Sequence, residues 1–471
     1  MKTAVMLDVE PIADGGYMVR CLLNCEGEVY GREGRVPLNI SLVLDRSGSM
    51  EGEKLEAARD AACMLVRRLS PDDLVSVVAY DNAVRVIAPP ATGDRQDDLL
   101  RRIGSLRGGS TTNLSGGWLQ GRDFVAENLA DGGVNRVVLL TDGLANLGIT
   151  DPAQLTGMCL RAFREGITTT TVGLGEGYDE KLLTSMADAG GGNTYYIERP
   201  DQAGGIFAQE LEGMLTLSAQ NLTVRVTPGR DADFLRVLHT YPSREEGQTL
   251  VLSVGDLYPR EPRRILAEFL IQPEVFEEGE EGRVAEVARF GVTAHVLTED
   301  GGVERQQIDI PVTLTAAAGG RADPEVRKEM IFIVAADARE KALEARERGD
   351  LADAVSHLRL ASHQLQAAGL DDAEVREEIA DLQNVADHIE VHGMKESDAK
   401  YLYQRSHDSR RSTRSSLLRY RREAEAGGEK DGSVTPGEPP AAEDRGAASG
   451  GSEESGAGEV KGEGDRDRDR D

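Results

Sequence analysis

Asp45, Ser47 and Ser49 stand two residues apart where an apolar run stops, in LNISLVLDRSGSM at residues 38 to 50. In an extended or looping backbone alternate residues project to the same side, so one carboxylate and two hydroxyls can converge on a small hard cation. A second carboxylate, Asp142, ends a similar run, NRVVLLTDG at 135 to 143. Between the two lies GGSTTNLSGG at 108 to 117, whose Thr111 and Thr112 offer further hydroxyls. Carboxylates and hydroxyls with no Cys or His among them suit Mg²⁺ or Mn²⁺ rather than zinc.

These residues can act together only if the fold gathers them. The Leu, Ile and Val content of the first run, its length, and its end on Ser and Gly favour an interior strand. From Leu38 onward strands and helices alternate, which predicts a parallel sheet with crossover helices. Leu55, Ala58, Ala62, Leu65 and Leu69 mark one helix, closed by Ser70-Pro71. Strands 74 to 80 and 83 to 88 are joined too tightly for a helix, so one of them is an antiparallel edge. A polar helix over 94 to 107 follows, then one whose apolar face carries Leu114, Trp118, Val125 and Leu129. Strands at 135 to 143, 167 to 175 and 193 to 198 alternate with helices at 151 to 164, 179 to 188 and 201 to 216. The prediction is a doubly wound α/β unit over 36–217 with a mostly parallel six-stranded sheet. In such a sheet the loops at the carboxyl ends of the strands line one edge, which would bring the threonine loop beside Asp45 and Asp142.

Around this unit the pattern changes. Residues 3 to 9 and 17 to 24, separated by Asp14-Gly15-Gly16, read as a hairpin within 1–35. Over 218–320 the helical period disappears and short strands follow one another, as in an all-β sandwich. The hairpin is expected to complete that sandwich, making the α/β unit an insertion. Residues 321–424 read as helices broken at Gly349-Asp350 and Gly369, a small bundle. The segment 425–471 is rich in Gly, Glu, Ser and Pro and should be a disordered acidic tail.

At 471 residues the chain exceeds what one hydrophobic core supports. A net charge of −29 argues against nucleic acid as a partner, because phosphate binding depends on Lys and Arg. Residues 426 to 471 hold thirteen acidic and six basic side chains, a net of −7, so −22 remains on the rest of the chain. Cys21, Cys25, Cys63 and Cys159 form no CxxC pair and no zinc spacing, and read as reduced structural thiols. With no apolar h-region at the start and no run near the ~20 apolar residues of a membrane span, the expectation is a cytoplasmic protein.

DRSGS at 45 to 49, the GGSTTNLSGG loop and LLTDG at 139 to 143 resemble the metal-ion-dependent adhesion site of von Willebrand factor type A (VWA) domains. The resemblance spans roughly 36 to 217. It gives Asp45, Ser47 and Ser49 the ligand roles of the Asp-x-Ser-x-Ser pattern, and Asp142 that of the distal carboxylate. Thr112, six residues before Trp118, fits the family's loop ligand, with Thr111 as the fallback. The implied function is capture of a protein partner's Asp or Glu carboxylate by a bound Mg²⁺, without catalysis. The implied alternative is a regulatory or adaptor subunit of an AAA+ ATPase, docked through the helical region.

Other motifs were weighed against this one. A phosphatase nucleophile at Asp45 needs a second Asp where Ser47 stands, and no Gly-x-Ser-x-Gly elbow is present. Gly173-Leu174-Gly175-Glu176-Gly177 follows a strand, but its last glycine is one residue early for a dinucleotide loop. His388 and His392 lie four apart with Glu390 between them, which reads as a solvated helix end. Arg405, Arg410, Arg411, Arg414, Arg419, Arg421 and Arg422 form a basic strip, expected to pair with the acidic body or tail.

Overall fold

The computed structural model describes residues 1–413 except 14, 29–35, 131–132, 176, 260, 277–282, 299–301 and 316–321. The expected tail at 425–471 lies outside the described residues, as do Arg414, Arg419, Arg421 and Arg422.

The chain begins with the antiparallel hairpin β1 (Lys2–Pro11) and β2 (Tyr17–Glu26). The α/β unit follows as β3 (Leu38–Asp45), α1 (Glu53–Arg67), β4 (Leu74–Tyr80), β5 (Val84–Thr92), α2 (Gln96–Gly104), α3 (Leu114–Ala126), β6 (Val134–Thr141), α4 (Pro152–Arg164), β7 (Thr168–Leu174), α5 (Glu180–Ala189), β8 (Gly191–Ile197) and α6 (Ala203–Thr216). Its sheet order is β5-β4-β3-β6-β7-β8, with every pair parallel except β4 with β5. β3 and β6 are buried along their whole lengths, which is why both read as unbroken apolar runs. α3 lies close over β3 because Gly121 has no side chain; a methyl there would meet Val43 at 2.5 Å. The helix stops at Ala126, so Leu129, placed on its apolar face by spacing alone, lies beyond the helix and is exposed.

The strands after residue 218 are β9 (Ala219–Pro228), β10 (Asp233–Val237), β11 (Ser243–Glu246), β12 (Thr249–Leu257), β13 (Arg263–Ile271), β14 (Val284–Leu297) and β15 (Val303–Thr315). They form two sheets, β1-β2-β13-β10 and β11-β12-β9-β14-β15. β2 hydrogen-bonds β13 along its length, so the opening hairpin and the late strands share a sheet across the α/β unit. Between the sheets Val19, Leu23 and Phe269 pack with Val224, Val254 and Phe290. β10 ends at Val237, and two residues on His239 turns inward onto Glu329 of the next helix, 2.9 Å away.

That helix is α7 (Pro324–Glu347), started by Asp323, whose side chain accepts from the Glu325 N–H. α8 (Leu351–Ala367), α9 (Ala373–His392) and α10 (Glu396–Arg411) complete the bundle. The basic strip on α10 faces inward where it is described. Arg405 pairs with Glu378 of α9 at 2.6 Å, Arg410 with Asp337 and Glu340 of α7, and Arg411 with Asp188 of α5 at 3.2 Å. Lys400 donates to the Tyr178 carbonyl at 3.1 Å and Glu180 at 2.7 Å, its ammonium 4.1 Å from the Tyr178 ring centre.

His407 on α10 also faces Asp188, its Nε2 lying 3.0 Å from Oδ1. Burial alone would lower the His407 pKa, but the Asp188 charge and hydrogen bond, with Asp408 beside it, push it up to about 9. Since this exceeds the unfolded value near ~6.5, the pair's stabilisation is complete below about pH 6.5 and is lost as pH rises through about 9. In urea unfolding, wild type should exceed His407→Gln by roughly 2 kcal/mol at about pH 6, and by much less at about pH 9.5. An advantage of equal size at both pH values would show that the imidazolium plays no part.

Candidate functional site

Because β3 and β6 are parallel neighbours, their carboxyl ends deliver Asp45 and Asp142 to the same edge of the sheet. Asp45 is fully buried. Its Oδ1 accepts the Ser47 N–H at 2.8 Å and its Oδ2 accepts the Thr141 hydroxyl at 2.5 Å, both neutral donors. Burial pushes the Asp45 carboxyl up to about 6 against those two hydrogen bonds, and the charge of Asp142 adds to the effect. The Ser47 and Ser49 hydroxyls lie 3.1 Å apart, and Ser49 donates to Asp142 Oδ1 at 2.7 Å. Asp142 Oδ2 accepts from Lys54 of α1 at 2.6 Å.

The threonine loop closes the cluster. Thr112 is buried and Thr111 exposed. A methyl built on Gly143 would sit 3.4 Å from Thr112 Oγ1, 3.7 Å from Ser49 Oγ and 4.0 Å from Asp45 Oδ2, so oxygens from two separate loops approach one point on a third. The donors there are two carboxylates and three hydroxyls. Among the described residues, no three His, Cys, Asp or Glu side chains are grouped to hold a metal. His388 and His392 do lie side by side at the end of α9, with ring centres 4.9 Å apart and tilted by 48°, but the Glu390 carboxylate between them is held by Arg359 at 2.7 Å.

Residues that sequence reasoning did not single out hold these loops in register. Arg46, the variable position of the Asp-x-Ser-x-Ser pattern, is buried and pairs with buried Asp81 at 2.6 Å. Around that pair the Gly109 N–H donates to the Arg46 carbonyl at 2.6 Å, the Gly48 N–H to Ser110 O at 2.8 Å, and the Asn113 N–H to Asp81 O at 2.8 Å. Gly109 must be glycine here, because a methyl would collide with the Asp81 carboxylate at 2.0 Å. On the far side Asn146 Oδ1 accepts the Thr112 N–H at 2.9 Å, while the Asn146 and Leu147 N–H groups donate back to Thr112 O. The one signal for Arg46 and Asp81 was a charge just past the carboxyl end of each of two buried strands, which calls for a partner.

The α/β unit and its edge of oxygens define the class: residues 39–209 are a von Willebrand factor type A domain, matching that family's sequence model. Such domains commonly mediate protein–protein interaction and often bind a divalent metal. The chain is 30% identical over 190 residues to the uncharacterized protein YfbK of Escherichia coli strain K12, a match covering 40% of this chain and 33% of YfbK. It is 28% identical over 230 residues to inter-alpha-trypsin inhibitor heavy chain H1 of Sus scrofa, covering 46% of this chain and 24% of that one. The chain thus spans about a third or less of the length of these relatives. In structure it is similar to a von Willebrand factor type A protein from Catenulispora acidiphila, with a TM-score of 0.62 at 19% identity over 82% of this chain and 96% of that one. The ArnB paralog VWA2 from Sulfolobus acidocaldarius aligns with a TM-score of 0.53 at 17% identity, over 87% and 97% of the two chains. At these identities the likeness is one of fold, and it extends beyond the α/β unit.

If Arg46 and Asp81 hold the loops together, Arg46→Met should loosen them locally. Native-state hydrogen exchange on the full chain is expected to show the Gly48 and Gly109 amides opening about tenfold more often, about 1.4 kcal/mol, with the amides of β7 changing far less. Unchanged protection at Gly109 would remove the clamp from the account.

Proposed function

We propose that Asp45, Ser47, Ser49, Thr112 and Asp142 hold a Mg²⁺ or Mn²⁺ ion, and that the site captures an Asp or Glu carboxylate of a protein partner. The observation that carries this is the convergence of Thr112 Oγ1, Ser49 Oγ and Asp45 Oδ2 around one point beside Gly143. The donor chemistry fits: every oxygen is hard, and a buried carboxylate contacted only by neutral donors gains from a neighbouring cation. A bound divalent ion would supply a positive charge and an open coordination position for the partner's oxygen.

The protein's own residues would do the rest. The Arg46–Asp81 pair keeps the Asp45 and Thr112 loops at fixed separation, and Thr141 orients the Asp45 carboxylate. Lys54 holds one oxygen of Asp142 and leaves the other toward Ser49. Binding of this kind makes and breaks no covalent bond of the partner, so the reading is a non-enzymatic interaction module. All four cysteines are unpaired thiols, three of them buried, which supports a reducing, cytoplasmic setting.

Mn²⁺ titration of the full chain, followed by electron paramagnetic resonance, tests the ligand set. Thr112→Val should weaken binding about tenfold or more and Asp142→Ala should abolish it, while Thr111→Val stays within about twofold of wild type. Equal Mn²⁺ affinity in wild type, Thr112→Val and Asp142→Ala would refute the site.

A further inference from the structure

Nine large hydrophobic side chains are exposed among the described residues, and two of them, Leu144 (55% exposed) and Leu147 (41%), stand on the segment that follows Asp142. That segment is held in place. The Asn146 and Leu147 N–H groups donate to the Thr112 carbonyl, the Ile149 N–H donates to Ser115 Oγ at 2.8 Å, and Ala145 and Ile149 pack against the core of the domain. The two leucines are therefore displayed by a braced loop that shares its anchor, Thr112, with the oxygen cluster. Isolated exposed leucines are ordinary, but a pair fixed beside a ligand site is a contact surface.

Charge distinguishes this segment from the one that follows β3. Residues 143 to 150, GLANLGIT, carry no charge. On the segment after β3, Glu51 and Glu53 are exposed, and the Glu51 side chain lies within 4 Å of where a methyl on Gly108 would be. An acidic segment approaching a chain of net charge −29 meets Glu51 and Glu53, with Lys54 beside them, on one of these segments and no charge on residues 143 to 150 of the other.

We propose that Leu144 and Leu147 form an aliphatic rim that reads the residue next to the coordinated carboxylate. The partner's recognition element is then an Asp or Glu with a Leu, Ile, Val or Met side chain beside it, in an exposed protein segment. The inference rests on the carboxylate-capturing reading above and adds the chemistry of the neighbouring residue. The carboxylate enters the metal position, and the aliphatic group covers the two leucines and removes their surface from water.

The probes are labelled eleven-residue peptides of equal charge, each with one central Asp or Glu. In the parent all other residues are Gly and Ser, and in the variants a Leu replaces one residue at one of the two nearest positions on either side. With the full chain in Mg²⁺, at least one Leu-bearing peptide should bind about tenfold tighter than its parent, about 1.4 kcal/mol. Leu144→Ser/Leu147→Ser should erase that preference while Mn²⁺ affinity stays within about twofold. Equal, EDTA-sensitive binding of parent and Leu-bearing peptides would overturn the rim and leave carboxylate capture standing. A preference that persists in the double variant would also overturn it. Mn²⁺ binding with no peptide captured would overturn the rim together with carboxylate capture, and absence of Mn²⁺ binding would refute the metal site itself.

Discussion

A guanidinium with no access to water ties this molecule together. Arg136 of β6 is fully buried and donates to Glu210 of α6 at 2.6 Å, to Thr168 of β7 at 2.9 Å, and to Asp256 and Tyr258 at the end of β12, the Tyr258 hydroxyl at 3.3 Å. One cation faces two carboxylates. Burial pushes Asp256 up to about 6 even with Arg136 beside it; burial also works against the charge on Glu210, but Arg136, Thr170 and Asn193 outweigh it and hold that group below the usual range. Such a cluster costs desolvation, and its value lies in specificity: only one orientation of the α/β unit on the sandwich satisfies every member. The strand that begins at this interface ends at the oxygen cluster, roughly 20 Å away from Arg136 to Asp142.

A second constraint acts at that far edge. Tyr178 follows β7 at the carboxyl end of the sheet and lies over Gly173, where a methyl would come within 2.3 Å of its ring. The Lys400 ammonium sits on the other face of this segment through the Tyr178 carbonyl and Glu180. The same stretch approaches the site, since Gly175 lies near the Lys54 ammonium that holds Asp142 and a methyl on Gly177 would be 3.0 Å from the Asp142 carbonyl. α10 therefore supports the loop that borders the candidate metal position, in addition to closing the helical bundle. Its arginines, a conspicuous basic strip in the sequence, are spent inside the protein on Glu378, Asp337, Glu340 and Asp188.

What was legible in the sequence was what local chemistry determines. β3 and β6 are buried on both faces, so their apolar runs and the polar residues that end them announce the sheet, and the edge that holds the candidate site, without tertiary information. The choice between Thr111 and Thr112 is of another kind, because adjacent residues in an irregular loop differ only in which way the backbone turns them, and here that follows from the Thr112–Asn146 exchange of hydrogen bonds. β11, the sequence SREE, has four exposed residues and no apolar alternation, so nothing local distinguishes it from a turn until β12 offers a partner. β5 runs through Pro89 and Pro90, which an edge strand with a free side tolerates. Arg136 was visible as an arginine inside an apolar run, yet its partners lie 74 and 120 residues away, beyond the reach of any local pattern.

The acidity of the chain gains a role once the site is viewed as a carboxylate trap. A surface of net charge −29 slows the approach of acidic segments in general, and screening at physiological salt limits that repulsion to about a Debye length, ~8 Å. On that proposal attraction would be confined to the few ångströms around the candidate metal position, where a direct bond between ion and oxygen would outweigh the long-range field. Weak, delocalised association of polyanions would be suppressed, whereas a single well-placed carboxylate would still bind. Discrimination among carboxylates would in turn have to come from contacts that carry no charge, and the braced, uncharged loop after Asp142 offers such contacts.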